Sequence, residues 1–469
     1  MSDTSPPVLA GVAAESTKPY VLIVGAGLGG LMMGILLERA GIPYDIFERA
    51  AKVKPLGALM SISENILPAF EQLGLLEAIE KIALPLKLFS VYKESMEHLG
   101  DYYSGRKAKT GYDSLLFPRP KLYELMLKQI PAERLHFSKK VLSTEQKPEG
   151  VLIRCADNTT YRGDILVGAD GAYSGVRQSL YKQLSAEGKL PVEDGKDLEM
   201  GYVCMVGTTD PQDPEKYPMF KDDHTKIMQV AGENSPYTWT TICVAENRIC
   251  WSVVSQLPSV RAAQDERFRN SEWGPETNEA MIKEIYNFPT VMGGKLGDLI
   301  DATPRDLISK VFLEEKMFQT WYHGRAALLG DAVHKMLPTA GQGAVNAMQD
   351  AVVLTNCIYH MPSVTPDNIT AAFKAYQEHR YPHAKMQFDI SRANGKIMSG
   401  QTWSERLIRA IVLNYIPQRV LDRSIKGANY RPQISFLPEA KMRGIVPVLP
   451  QMTFPTRTEN ITTSTAVAV

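Results

Sequence analysis

Hydrophobic and polar positions change rhythm repeatedly along the chain, and each change predicts an element. Residues 21–24, Val-Leu-Ile-Val, form a short unbroken apolar run with the length and β-branched content of a buried strand. Residues 31–40 follow with helical spacing. Gly41 suits a helix C-terminus, and Pro43 prevents continuation. Residues 44–47 read as a second strand, so the chain opens with a strand–helix–strand unit. Helical patterning returns over 63–81, carried by Phe70, Leu73 and Leu76. Residues 86–103 alternate like paired strands. Phe117-Pro-Arg-Pro120 then opens a helix over 121–129, with Pro120 suited to its first turn.

Strands predicted over 151–155 and 160–167 are joined by a turn at Asp157-Asn158. Residues 180–196 read as a polar connector and a domain boundary. Four runs, 202–207, 226–230, 237–244 and 248–255, lie between polar turns and predict an antiparallel sheet that forms a separate layer. Helices are expected over 276–287 and 304–314, then a short strand over 324–329. Further helices are expected from about 344, over 368–396 and over 405–422. Residues 1–18 predict a disordered lead-in, and the Pro-rich tail with 456–469 predicts extended or disordered chain. These elements define an α/β fold: a Rossmann-like domain, an inserted antiparallel-sheet domain and a helical C-terminal region.

Candidate chemistry sits at the joints of this pattern. Gly25, Gly27 and Gly30 follow the first strand as G-x-G-x-x-G, and Glu48 ends the second strand 23 positions after Gly25. The first glycine permits the tight turn, the second lets backbone approach a pyrophosphate, and the third lets helix pack on strand. Phosphate charge then meets a helix N-terminus, and the carboxylate can accept hydrogen bonds from a ribose. This register predicts a dinucleotide site. A second stretch, 324–354, ends its strand in Gly330-Asp331, which places a carboxylate at the edge where open α/β sheets bind ligands. Pro338, Gly341 and Gly343 then form a loop of exposed amides before a helix whose start favours an anionic group.

Charge narrows the range of partners. Lysine plus arginine equals aspartate plus glutamate at 52 each in 469 residues, so no global field favours nucleic acid or an anionic membrane. The five cysteines form no CxxC or metal spacing and read as reduced core thiols of a cytoplasmic protein. No metal site is expected. Residues 20–37 are uncharged for 18 positions, but five are glycines placed for a phosphate loop, so no membrane span is expected.

Three motifs in order, G-x-G-x-x-G to Glu48, GADG at 168–171 and GDAVHKMLPTAGQG at 330–343, resemble the FAD-dependent monooxygenases of the para-hydroxybenzoate hydroxylase type. The resemblance spans roughly residues 19–380. HKM at 334–336 and RPQISFLPEAKMRG at 431–444 look closest to fungal monooxygenases of terpenoid and indole-alkaloid pathways. The resemblance implies bound FAD, NAD(P)H as transient electron donor, and O2 as co-substrate. It implies hydroxylation or epoxidation of a mid-sized organic molecule through a flavin hydroperoxide. The domains expected on this basis are an FAD-binding unit (19–85, 105–185 and 300–365), a substrate unit (86–104 and 186–299), helices over 366–430 and an extended tail over 431–469.

Residue by residue, the resemblance assigns Gly25, Gly27, Gly30 and Glu48 to the ADP half of FAD, with Arg49 also in the cofactor site. Ser61 and Arg119 fall where family members contact the cofactor, although many relatives have glycine in place of Ser61. Asp170, with Ser174 and Arg177, matches a motif linked to both FAD and the nicotinamide donor. Asp331 would bond the ribityl chain; the Gly341–Gly343 loop and Ala344 would aim amides at the flavin pyrimidine side. GQGAVN departs from the commoner GQGAN, with Val345 displacing the usual asparagine by one position. Tyr237, Trp239 and Tyr202 belong to the sheet that would roof the substrate. Tyr237 is the candidate hydrogen-bond donor to substrate, with ordinary sheet packing as its alternative, and His334 reads as structural. A flavin-dependent reductase, or a non-catalytic protein that keeps the fold, remains open as an alternative function. No W-x-W-x-I-P pattern supports a halogenase.

Overall fold

A computed structural model describes residues 18–52, 59–103, 107–232, 235–257, 275–399, 402–414 and 429–454. The lead-in over 1–17, the helix expected beyond 414 and the tail beyond 454 lie outside the described residues. The opening unit forms as its pattern predicts. Strand Val21–Val24 runs into helix Leu28–Ala40, which ends on Gly41 in the left-handed conformation (φ 62°), and strand Tyr44–Phe47 returns alongside.

Six strands build the first sheet in the order Tyr322–His323, Ala326–Leu328, Ile165–Gly168, Val21–Val24, Tyr44–Phe47, Leu135–His136. All neighbours are parallel except the Tyr322–His323 edge. Val21, Leu22 and Ile23 are wholly buried, as a strand covered on both faces requires. Helices Leu28–Ala40 and Gly343–Tyr359 pack on one another and share this core. A three-stranded antiparallel sheet, Val141–Lys147, Gly150–Cys155 and Thr160–Gly163, adds to the core through Val151 and Ile153.

A ten-stranded sheet forms the second layer. Glu199–Thr208, Arg248–Gln256, Tyr237–Val244 and Thr225–Ala231 are antiparallel neighbours, and Thr225–Ala231 adds Leu84–Lys93 in parallel. Leu84–Lys93 pairs with His98–Tyr103 as a hairpin, and also with Leu115–Pro118, which in turn pairs with Leu59–Ile62. Through those last two strands the sheet reaches the first unit. The five cysteines are buried and unpaired.

Three expectations are corrected. Residues 304–314 do not form a helix: a short 3-10 turn, Arg305–Leu307, precedes strand Ser309–Met317. Its Glu-Glu-Lys composition favours helix locally, but pairing with Glu199–Thr208 overrides that preference. Residues 180–196 are not simply a connector, because helix Gly175–Ala186 buries Val176, Leu180 and Leu184 at four-residue spacing. Residues 63–81 split into helices Leu67–Gln72 and Leu76–Lys81, with Gly74 left-handed between them (φ 74°). Farther on, helix Pro366–Ser399 precedes helix Trp403–Asn414, and the chain over 429–454 lies extended against the first unit. Among the described residues no helix is long and apolar enough to cross a membrane.

Candidate active site

Three of the parallel strands end side by side, and each carboxyl end carries one of the three motifs. Val21–Val24 leads into Gly25, Ile165–Gly168 into Asp170, and Ala326–Leu328 into Gly330-Asp331. The order in which strands are added reverses about the first strand, and such a switch point opens a crevice at the carboxyl edge.

The glycine turn is held by contacts that no side chain could share. Gly25 has φ 104°, and a Cβ on it would lie 2.4 Å from the Ala169 carbonyl oxygen; one on Gly30 would lie 2.0 Å from the Gly25 carbonyl oxygen. At Gly27, by contrast, a Cβ would meet nothing within 4 Å. Gly27 starts a 13-residue helix that has no side-chain cap and no acidic residue in its first turn. Unsatisfied N–H groups therefore face open space where an anion gains most. The Glu48 carboxylate closes the turn, accepting the Ala26 and Ala50 amides at 2.9 Å each. Two amides leave a carboxylate with further lone pairs for hydroxyl donors. Arg49, next in sequence, is exposed and has no ion-pair or hydrogen-bond partner among the described residues.

Asp170 sits over this turn. A Cβ on Gly25 would come within 2.9 Å of the Asp170 Cα. Its Oδ2 accepts the Val176 amide at 3.2 Å, while Oδ1 is buried without a partner. Burial pushes the carboxyl above its ordinary pKa, and hydrogen bonds from Ser174 and nearby amides offset this only in part. Ser174 caps helix Gly175–Ala186 by accepting the Arg177 amide at 2.9 Å. Arg177 then ties two motifs together, donating to the carbonyls of Ala332 (2.8 Å) and Ala172 (2.7 Å).

Asp331 pairs with Lys335 at 2.7 Å, both half-exposed. Gly341 is left-handed (φ 64°), and a Cβ on it would lie 3.0 Å from the Ser61 hydroxyl, so Ser61 and the glycine loop are neighbours. Asn65 donates to the Gln342 side chain at 2.8 Å and fixes the loop from the same side. Gly343 and Ala344 begin a 17-residue helix without a side-chain cap or first-turn acid. Arg119 starts helix Arg119–Leu127 as an exposed side chain without an ion-pair partner among the described residues. Such a crevice can hold an extended molecule, with phosphates at one helix start and an anionic ring edge at the other.

Tyr237 is not brought to this crevice, which corrects its expected place in the pocket. Its hydroxyl bonds Glu284 and its ring packs on Phe288, with centroids 5.6 Å apart. Trp239, two residues on, donates to the Pro289 carbonyl at 2.8 Å within a cluster that includes Ile282, Ile285 and Leu296. This face of the sheet is sealed by helices Pro275–Ile285 and Leu296–Asp301.

Tyr202 lies on the opposite face, because Val203 and Met205 point into the sealed cluster. A Cβ on Gly395 of helix Pro366–Ser399 would lie 3.1 Å from Leu337, 3.6 Å from Thr339 and 3.7 Å from the Tyr202 hydroxyl. Strand, helix and glycine loop thus converge there. Burial, then the charges of Glu315 and Glu405, raise the Tyr202 pKa. Thr240 shares this inner face, register-paired with both Ser252 and Gln229.

Some residues were invisible to the sequence reading. Asp350 and Arg380 are fully buried behind the glycine loop, beside the displaced Asn346. Asn346, shifted by the extra Val345, turns inward: its amide donates to the Gln342 carbonyl at 2.9 Å and its oxygen accepts Arg380 at 2.8 Å. His334 is wholly buried and bonded to Asp350 at 2.6 Å. A charged pair 30 positions apart, each member inside a helical run, gives no local signal.

Comparison with known proteins gives a consistent picture. The family described as FAD binding domain matches residues 18–391. The FAD-dependent monooxygenase ptmM of Penicillium ochrochloron is 30% identical over 80% of this chain and 88% of its own length. The FAD-dependent monooxygenase atmM of Aspergillus flavus is 27% identical over 89% of this chain and 86% of its own length. Among solved structures, HpxO of Klebsiella pneumoniae, complexed with FAD and uric acid, superposes with a TM-score of 0.69. It is 23% identical, and the match covers 87% of this chain and 96% of that one.

Proposed function

Because this chain belongs to the FAD-binding-domain family and is an FAD-dependent monooxygenase, we propose that it uses NAD(P)H and O2 to hydroxylate or epoxidise a mid-sized, largely apolar aromatic, terpenoid or alkaloid molecule in a specialised biosynthetic pathway. The observation that carries this reading is the meeting of three motifs at adjacent strand ends beneath the inner face of a second sheet. The fungal monooxygenases similar to this chain support the choice of reaction.

FAD, when bound, supplies the redox and oxygen chemistry, and the protein supplies position, polarity and exclusion of water. Gly27 and the open helix start behind it hold the pyrophosphate. Glu48 accepts the ribose hydroxyls with the lone pairs its two amide contacts leave unused. Asp170 offers its unpartnered oxygen to the cofactor, and Asp331 accepts from the ribityl chain while Lys335 steadies it. Gly343 and Ala344 present amides to the ring edge where negative charge gathers on reduction. Ser61 braces the loop at Gly341, and the exposed Arg49 and Arg119 would offer planar donors to phosphate. The assignment of residues 86–104 and 186–299 to substrate binding is part of the same proposal. On its inner face Tyr202, Thr240 and Ser252 offer uncharged hydroxyls, suited to a neutral substrate that carries a hydroxyl or carbonyl.

The test is the absorption spectrum of purified protein, followed by NAD(P)H addition under nitrogen and then air. Bound flavin that bleaches and recovers with O2 supports the proposal and opens a substrate screen. Bleached flavin indifferent to O2 would make the protein a reductase, and protein that takes up no flavin would make the fold a scaffold.

A further inference from the structure

Helix Pro366–Ser399 grips the 328–350 segment from behind at successive points. Tyr376 donates to the Leu328 carbonyl at 3.0 Å. Arg380 donates through Nε to Asp350 at 2.7 Å and through its terminal nitrogen to the Asn346 side chain at 2.8 Å. Ser391 donates to the Leu337 carbonyl and accepts nothing from solvent, and Thr339 donates to the Ser391 carbonyl, both at 2.5 Å. At the centre, Asp350 accepts three bonds: from Arg380, from the Gly330 amide at 2.9 Å, and from His334 at 2.6 Å. Asp350, Arg380 and His334 are wholly shielded from solvent.

We propose that Asp350 and Arg380 are a positioning pair for the flavin half of the cofactor, a role that rests on the FAD reading above. Asp350 fixes the Gly330 amide and thereby the residue that follows, Asp331. Arg380 carries the same anchor through Asn346 to the Gln342 carbonyl, at the start of the helix whose amides face the ring. One buried ion pair thus sets both walls of the flavin subsite. The glycine turn and Glu48 are held by other contacts, to Ala169, Ala26 and Ala50. The ADP subsite therefore stands without the pair. The Asp350 carboxylate, with three donors on its two oxygens, keeps its geometry only while those partners are present. A carboxylate replaced by its amide cannot accept from all three donors in the same way.

The discriminating measurement is affinity for FAD beside affinity for ADP, by calorimetry on apoprotein. Asp350→Asn is expected to weaken FAD about tenfold or more while ADP stays within about twofold, since misplacement of the subsite walls acts on the flavin half alone. Equal loss of both ligands, or no loss of FAD, would overturn the proposal by reducing the pair to general structure or to irrelevance. Should Asp350→Asn fail to fold, Asn346→Ala carries the same test, because alanine suits the helix and removes only the link from Arg380 to Gln342. Wild-type protein that binds ADP but no FAD would instead overturn the cofactor reading beneath it.

Discussion

Two tyrosines show how much depends on the face a side chain occupies. Alternation places Tyr237 with Trp239, but parity along one strand cannot say which face looks toward the crevice. The packed helices decide it, and the answer is Tyr202. Tyr202→Phe is expected to raise the KM for substrate about fivefold, the loss of one hydrogen bond to a neutral group. Tyr237→Phe removes a contact to Glu284 and is expected to lower the melting temperature slightly with turnover unchanged. Steady-state kinetics on the pair tests the assignment; the reverse pattern would return Tyr237 to the pocket. Asp331→Ala belongs at this scale too. It is expected to lower flavin occupancy without unfolding the chain, read from the flavin-to-protein absorbance ratio. Full occupancy with full activity would sink the role given to Asp331.

At the scale of elements, the strand–glycine turn–helix unit was legible because each of its demands is local: apolar strand, small residues, helix stop. Its two key glycines nonetheless do different work. Gly30→Ala drives a methyl into the Gly25 carbonyl and is expected to cost about 2–3 kcal/mol of stability. Gly27→Ala meets no protein atom, so its melting curve should match wild type while FAD affinity falls. Paired melting and FAD titration separate the two; equal behaviour would deny the open face its role. Strand Ser309–Met317 was not legible, because its state is set by a partner about a hundred residues earlier. Nor was the Asp350–Arg380 pair, whose members look like ordinary helix charges until two helices meet. Helix Pro366–Ser399 also sets a pH response. His383 stacks on Tyr430 with centroids 3.6 Å apart, and burial, then the charges of Arg380 and His379, depress its pKa to about 4. In the unfolded chain the imidazole has its ordinary value of 6.5 and takes up the proton first as pH falls. Stability from this group is therefore whole above the unfolded value and declines between there and about 4. The loss should total about 1–3 kcal/mol across that window, discounted for the partial exposure of the ring, and melting temperatures of His383→Phe should lack it.

For the whole molecule, the chain over 429–454 acts as a strap that joins distant parts of the first unit. Tyr430, Arg431 and Ile434 are buried, and two side-chain amides receive the strap as a strand would. Gln72 accepts the Ile434 amide at 2.8 Å and donates to the carbonyls of Ile434 and Pro438 at 3.0 Å each. Asn356 donates to the Gln433 carbonyl at 2.8 Å and accepts the Ser435 amide at 3.0 Å. Gln72 ends helix Leu67–Gln72, and Asn356 lies near the far end of the helix that begins at the glycine loop. The strap thus holds the back of the site helix while helix Pro366–Ser399 holds its front. Gln72→Ala combined with Asn356→Ala strips five such bonds and is expected to cost roughly 2–4 kcal/mol, allowing for water to replace each. The loss should show as early cleavage between 429 and 454 in limited proteolysis, with wild-type protein resistant there. FAD occupancy should stay near wild type, because the loop end of the helix keeps its own anchors. Unchanged digestion of the double variant would mean that apolar burial of Tyr430 and Ile434 alone seats the strap.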